Sequence, residues 1–314
     1  MIARRRLGSI SLDLTELGYG CAAIGGMYRP ITRPEAEAAV SAAWEVGIRY
    51  FDTAPAYGAG FAERLLGDFL RGHSSEDYVL STKVGKLLRP SLSAPSGVMP
   101  FEVEFDYSYD GIMRSYEFSL ARLGLAKVHL LFVDDLEPAT LGFANYRQHF
   151  PKFLDSGMRA LEELRSAGDI AAFGLGVSDV GACIDVMHRV KLDCLLLNGR
   201  YTLLDRTAGT RVLGMCRRSG TPLIVGSLFN GGILSQDDTE TEDTMSYAAL
   251  ARRIASDAGV DIATAAVQFP LRDPLVVSAI FGSTRTQRIT AAAAGLADHI
   301  SESVWGQFTS SAAN

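Results

Sequence analysis

Residues 47–71 read GIRYFDTAPAYGAGFAERLLGDFLR. The β-branched and aromatic run at 48–52 has strand character, and the amphipathic run at 61–71 has helix character, so this stretch is one strand–helix unit. Outward from it the unit repeats. Strands are predicted at 17–21, 48–52, 78–83, 128–133, 172–177, 194–198, 223–227 and 276–281. Helices are predicted at 34–46, 61–71, 110–122, 153–167, 180–190, 206–218, 247–258 and 285–296. Thr32 ahead of Pro34, and Asp179 ahead of the fifth helix, supply helix-start chemistry. Eight such pairs in 314 residues predict the α/β class: a closed (β/α)8 TIM barrel filling 1–314 as one domain, with a short N-terminal hairpin. Two doubly wound halves would instead show a glycine fingerprint after the first strand and an acidic residue ~20 positions later. Gly18, Gly20, Gly25 and Gly26 do not have that spacing.

Composition narrows the partners. Hydrophobic residues make up 47% and charged residues 21%, enough to bury a large core. A net charge of −6 gives no electrostatic reason to bind nucleic acid or an anionic membrane. No apolar run approaches the ~20 residues of a membrane helix. The opening MIARRRLGSI lacks the apolar stretch of a secretory signal, so a cytoplasmic protein is expected. Cys21, Cys183, Cys194 and Cys216 are scattered and the five histidines dispersed, so no metal site is expected. The expected partner is a small molecule, and the expected state a monomer or weak homo-oligomer.

Three segments, 87–109, 138–152 and 229–244, read as long connections leaving the C-terminal ends of strands, where barrel enzymes build their sites. The third combines NGGILSQ, which could approach a phosphate, with DDTETED, which reads as a solvated flap.

Chemistry concentrates at neighbouring strand ends. Asp52 closes the second strand, Lys83 the third, and Tyr57 lies on the loop between. An Asp and a Lys there can pair inside the barrel mouth, the Asp holding the Lys and balancing its charge. A tyrosine beside that ammonium would have its pKa lowered from near 10, making the phenol a usable proton donor or acceptor. Alone, each has a plainer reading: a turn cap, a packing lid, a surface lysine. Together, in this order and on these elements, they point to catalysis.

These residues carry a resemblance. GIRYFDTAPAYG followed by AERLLG, with STK after the third strand, resembles the aldo-keto reductase superfamily nearly end to end. More narrowly, FDYSYDGIMRSYEFSLARLGL, LLLNGRYTLLD and GSLFNGGIL are similar to its bacterial aldose 1-dehydrogenase and pyridoxal 4-dehydrogenase branch. The resemblance implies hydride transfer with NAD or NADP, without metal or flavin, and gives Asp52, Tyr57 and Lys83 as three members of a catalytic tetrad. Where the family places a histidine, at the end of the fourth strand, ARLGLAKVHLLFVDDLEP puts Asp134, and a one-residue slip would put Val133. His129 lies too early on that strand to substitute. Ionised, Asp134 could accept a hydrogen bond from a hemiacetal hydroxyl; protonated, it could donate to a carbonyl. Capping a loop is its structural alternative.

The resemblance further places the nicotinamide carboxamide near Ser178, Asp179 and Asn198, although Asp179 is equally a helix N-cap. Gly226 stands where an aromatic commonly stacks on the ring. Ser227, Leu228, Phe229, Asn230 and Gly232 match the loop over the pyrophosphate, and Gly282, Ser283, Arg285 and Arg288 the adenosine end. Many NADP-dependent relatives have a Lys at the position of Gly282, so NAD is the preferred cofactor. The substrate pocket is expected from Ile24, Met27, Tyr28, Tyr57, Asp134 and the segments 105–107 and 136–143. Its expected substrate is a cyclic hemiacetal, an aldose or pyridoxal, oxidised to a lactone. Reduction of an aldehyde or an activated C=C bond is the alternative within this chemistry, and a nicotinamide-binding sensor with little turnover the alternative outside it.

Overall fold

Which way each side chain points along a strand decides what lines the molecule's centre. In the computed structural model, which describes residues 1–93, 99–235 and 242–310, the strands run in chain order. They are β1 (Arg4–Arg6), β2 (Asp13–Thr15), β3 (Leu17–Gly20), β4 (Tyr50–Asp52), β5 (Val79–Val84), β6 (Lys86–Pro90), β7 (Phe101–Phe105), β8 (Leu130–Asp134), β9 (Ala172–Val177), β10 (Cys194–Asn198), β11 (Leu223–Gly226) and β12 (Val276–Phe281). Eight of them, β3, β4, β5 and β8 to β12, close into a parallel barrel, the predicted (β/α)8 fold. Closure comes from β12 pairing with β3, Ala279 opposite Leu17.

Side chains alternate with period two along a strand. Tyr50, Leu130, Phe132, Cys194, Leu196 and Ile224 therefore fill the barrel interior as one cluster, while Phe51, Leu80, Leu131, Val133, Leu195 and Leu197 pack outward under the helices. The same alternation puts Asp52, Lys83, Asp134 and Asn198 at the C-terminal ends of inward-facing rows. Leu7 and Leu14 join the inner cluster, so the predicted hairpin β1–β2 plugs the N-terminal end. Arg5 fastens the plug, with Nε 2.7 Å from Glu16 and guanidinium donors to the carbonyls of Val276 (2.8 Å) and Leu271 (2.9 Å).

The helices are α1 (Arg33–Glu45), α2 (Phe61–Leu70), α3 (Tyr109–Leu123), α4 (Pro138–Lys152), α5 (Met158–Ala167), α6 (Val180–Met187), α7 (Gly209–Ser219), α8 (Glu242–Asp257), α9 (Ile262–Leu271), α10 (Thr286–Ala294) and α11 (Glu302–Ser310). Both anticipated starts hold. Thr32 and Glu35 form a reciprocal capping box on α1, and Asp179 Oδ1 accepts from Ala182 N on α6.

The three long connections differ from expectation. Segment 138–152 is helix rather than loop: Pro138 sits in the first turn, Gly142 breaks the helix at φ 73, ψ 153, and a π-turn over Phe153–Gly157 follows Pro151 and runs into α5. A proline removes a backbone donor, and the wider π-turn absorbs the displaced carbonyl. Segment 87–109 contains the β6–β7 hairpin, with its tip at 94–98 outside the described residues. In 229–244, a short 3-10 turn covers Asn230–Ser235, and most of the acidic run lies outside the described residues. Helices α9 and α11 were not expected. The sequence of α9, IATAAVQFPL, is apolar almost throughout and shows no stripe. Among the described residues no helix is long and apolar enough to cross a membrane.

Candidate active site

Asp52, Lys83 and Tyr57 meet in the barrel mouth as predicted. Lys83 Nζ lies 2.6 Å from Asp52 Oδ2 and donates to the Thr53 carbonyl at 2.9 Å. Ser81 Oγ donates to the other oxygen, Asp52 Oδ1, at 2.7 Å. Both charged residues are buried. Burial pushes the Asp52 carboxyl up, and Lys83 and Ser81 pull it back. Burial pulls Lys83 down, but Asp52, Tyr57 and Asp134 together hold it well above its ordinary value. With the ammonium at 2.6 Å and each carboxylate oxygen carrying a donor, the pair is ionised.

Tyr57 is half-buried, its ring centroid 4.8 Å from Lys83 Nζ. Its position rests on two glycines. Gly58 has φ +62, and a Cβ there would lie 2.3 Å from the Gly25 carbonyl oxygen; a Cβ on Gly25 would lie 2.8 Å from the Tyr57 carbonyl carbon. Only bare backbone allows the β3–α1 loop to brace the tyrosine this closely. One expectation is corrected here: the phenol is raised, not lowered. Burial pushes it up, Asp52 and Asp134 add to that, and the pull of Lys83 is outweighed. The resting phenol therefore keeps its proton.

Asp134 ends β8 on the inward row and is 6% exposed. Its Oδ2 lies 2.8 Å from Lys86 Nζ, and Asp135 Oδ2 lies 2.5 Å from the same ammonium. Burial first, then Asp134, push the Asp135 carboxyl up to about 6 against the pull of Lys86. Tyr107 is buried and donates from its hydroxyl to the Asp134 carbonyl at 2.7 Å, so it braces the site rather than lining a pocket. Ile24 and Leu136 are likewise core residues, while Tyr28, at 71% exposed, and Phe143, at 77%, stand out on the rim.

Sequence reading missed Glu137. Its buried carboxylate accepts from Ser178 N (2.7 Å), Ser178 Oγ (2.9 Å) and Asp179 N (2.8 Å). Arg200 Nε donates to the Ser178 carbonyl at 2.7 Å. The Ser178 hydroxyl proton is thereby committed and Asp179 spends one oxygen as helix cap, which leaves each with acceptor capacity only. Asn198 lies opposite Gly226, where a Cβ would stand 2.3 Å from Asn198 Oδ1. The amide occupies the space in which an aromatic at 226 would sit.

The segment 227–232 supplies backbone more than side chains. Leu228 is buried, Phe229 packs edge-on against Phe281, and Asn230 bonds to the Gly199 carbonyl (3.1 Å) and the Thr202 hydroxyl (2.7 Å). Ser227, Asn230, Gly231 and Gly232 have φ of 55, 46, 71 and 96. Asn230 N and Gly232 N close this turn on the Ser227 and Phe229 carbonyls, both at 3.0 Å. Ser283 Oγ accepts from Arg285 N at 3.1 Å, and Arg285 and Arg288 are exposed at the start of α10, where an adenosine phosphate would be met. The four non-glycine residues with left-handed φ among the described residues, Ala59, Asp135, Ser227 and Asn230, all lie on loops leaving the C-terminal ends of barrel strands. Each such conformation costs on the order of 1–3 kcal/mol, and such strain gathers at functional sites.

The sequence profile described as the aldo/keto reductase family matches residues 16–313. Pyridoxal 4-dehydrogenase of Microbacterium luteolum is 39% identical over 311 residues, covering 91% of this chain and 90% of that protein. D-threo-aldose 1-dehydrogenase of a Pseudomonas species is 35% identical over 316 residues, covering 94% and 93%. Among solved structures, an aldo-keto reductase from Bacillus halodurans in its holo form superimposes with a TM-score of 0.81 at 21% identity, covering 100% of this chain and 97% of that one. That likeness is one of fold.

Proposed function

Because the chain belongs to the aldo/keto reductase family, whose members are NAD(P)-dependent oxidoreductases, we propose that it oxidises the carbinol carbon of a cyclic hemiacetal to a lactone. The substrate in this reading is an aldose or pyridoxal, the compounds for which two similar proteins are named. The observation that carries it is Asp134. Paired with Lys86 at 2.8 Å, it is an anion at the mouth, suited to accept from a hydroxyl rather than to donate to a carbonyl.

A bound nicotinamide supplies the hydride acceptor. The remaining work falls to side chains. Tyr57 takes the hydroxyl proton as the C–O bond gains double-bond character, and the Lys83 ammonium stabilises the phenolate it needs to do so. Asp52 keeps that ammonium in place. Ser178, Asp179 and Asn198 hold the carboxamide, the acceptors meeting its NH2. Segment 227–232 and the start of α10 hold the phosphates. NAD is the preferred cofactor. A Cβ on Gly282 would lie 2.7 Å from the Gly20 carbonyl oxygen, so no lysine fits there to bind a 2′-phosphate without a backbone shift.

The test mixes the protein and excess NAD with pyridoxal, L-fucose, L-galactose and D-arabinose in parallel and follows NADH absorbance. Fast NADH formation with one of them is expected, with Asp134→Asn at least tenfold slower. No NADH from any hemiacetal, or a strong preference for NADP in binding titrations, would overturn the substrate or cofactor reading respectively.

A further inference from the structure

Lys86 is a buried ammonium that takes no part in the proton transfer described above, yet it is the cation beside Asp134. It opens β6 just beyond the barrel strand β5, and its Nζ lies 2.8 Å from Asp134 Oδ2 and 2.5 Å from Asp135 Oδ2. Anchoring the β6–β7 hairpin does not require this charge. The hairpin is already tied down by Asp106 N on the Gly85 carbonyl, Ser115 Oγ on the Lys86 carbonyl, and the Tyr107 hydroxyl on the Asp134 carbonyl. Lys83 cannot serve Asp134 as it serves Asp52, because its contacts go to Asp52 and the Thr53 carbonyl. Asp135 turns back on Lys86 from the loop side only by adopting a left-handed φ of 50.

We propose that Lys86 is a positioning residue for the reaction, holding Asp134 anionic and fixed in the mouth while Asp135 shares the ammonium from outside. This rests on the reading that Asp134 meets the reacting oxygen. The charged and titratable groups facing the cluster are Asp52 and Tyr57 from the β4 side, Lys83 from β5, Tyr107 ahead of α3, and Asp135 and Glu137 after β8. Four of these are carboxylates or become anionic beside Asp134 in the working enzyme. Without Lys86, the Asp134 carboxylate would face these groups with no cation in contact with its own oxygens. With it, Asp134 keeps a cation 2.8 Å away while Asp135 shares that ammonium from the loop side at 2.5 Å. Asp135 is already held up to about 6, which is consistent with that division.

The test is the pH profile of kcat/KM for substrate oxidation in Lys86→Met, Lys86→Arg, Asp135→Asn and Asp134→Asn, each checked for folding by thermal melting and for NAD dissociation constant. Lys86→Met is expected to move the acid limb up by about one pH unit or more, losing about tenfold at pH 6–7 per unit moved and recovering in alkali. Lys86→Arg restores the native limb, and Asp135→Asn moves it down. The Asp134 protonated-carboxyl infrared band, assigned by difference from Asp134→Asn, shifts its titration the same way without turnover. A Lys86→Met profile that superimposes on the native one, or a loss that neither alkali nor arginine restores, overturns the proposal. If Lys86→Met does not fold, an unmoved limb and band in Asp135→Asn overturn it. Native activity in Asp134→Asn overturns the Asp134 reading itself; an impaired Asp134→Asn beside a native-like Lys86→Met overturns only the role of Lys86.

Discussion

Tyr57 keeps its proton at rest, and that has a direction. Oxidation needs the phenolate, whose fraction grows tenfold per pH unit below the pKa. Oxidation by the native protein should therefore climb from neutral into alkaline pH, and reduction should not. Tyr57→Phe should lower kcat by about 10²–10⁴-fold and leave the cofactor dissociation constant unchanged, read by steady-state kinetics and fluorescence titration. Asp52, Tyr57 and Lys83 were legible in the sequence because each is a reactive type at a strand end or on the loop beside one, whereas Asp134 was reached only through the resemblance to the aldo-keto reductase superfamily. Lys86 and Glu137 were not. Their work is done by contacts across 49 and 41 residues, and a lysine after a strand or an acid before a proline carries no local mark of it.

At the scale of elements, all eight barrel strands were legible as short apolar runs bounded by turn residues and alternating with longer amphipathic stretches, even where, as in LGYG at 17–20 and CLLLN at 194–198, no β-branched residue marks them. Segment 138–152 was not, since Pro138, Gly142 and Pro151 each read locally as helix breakers while the helix survives by kinking and widening. Glu63 shows how a motif residue can serve an element rather than the chemistry. It sits fully buried on α2, accepting from Thr82 of β5 (2.7 Å) and pairing with Arg122 of α3 (2.5 Å). Glu63→Ala leaves Arg122 without its buried anion and should cost about 3–5 kcal/mol in urea unfolding, with kcat of the folded fraction little changed.

Across the whole molecule, two groups pull stability in opposite directions over one pH range. His129 is lowered to about 4 by burial, then Lys127, and its Nδ1 accepts from Leu80 N at 3.1 Å. Its contribution is present above its ordinary 6.5 and is lost as pH falls towards about 4. Asp135, raised to about 6, contributes below its ordinary value and loses that as pH rises through about 6. Each is worth on the order of 2 kcal/mol. Their separate effects are read as changes in the slope of denaturation free energy against pH between 4 and 6.5, relative to the native protein. His129→Asn should make that slope more negative than the native one, and Asp135→Asn more positive.

The pairing of Ala279 with Leu17 also sets a clock. Strand β3 leaves the ribosome early, but the neighbour that closes its far side is about 260 residues away in the chain. At about 5–20 residues per second, that partner follows on the order of 13–50 s later. Throughout that interval β3 is an open strand edge able to pair with another nascent chain.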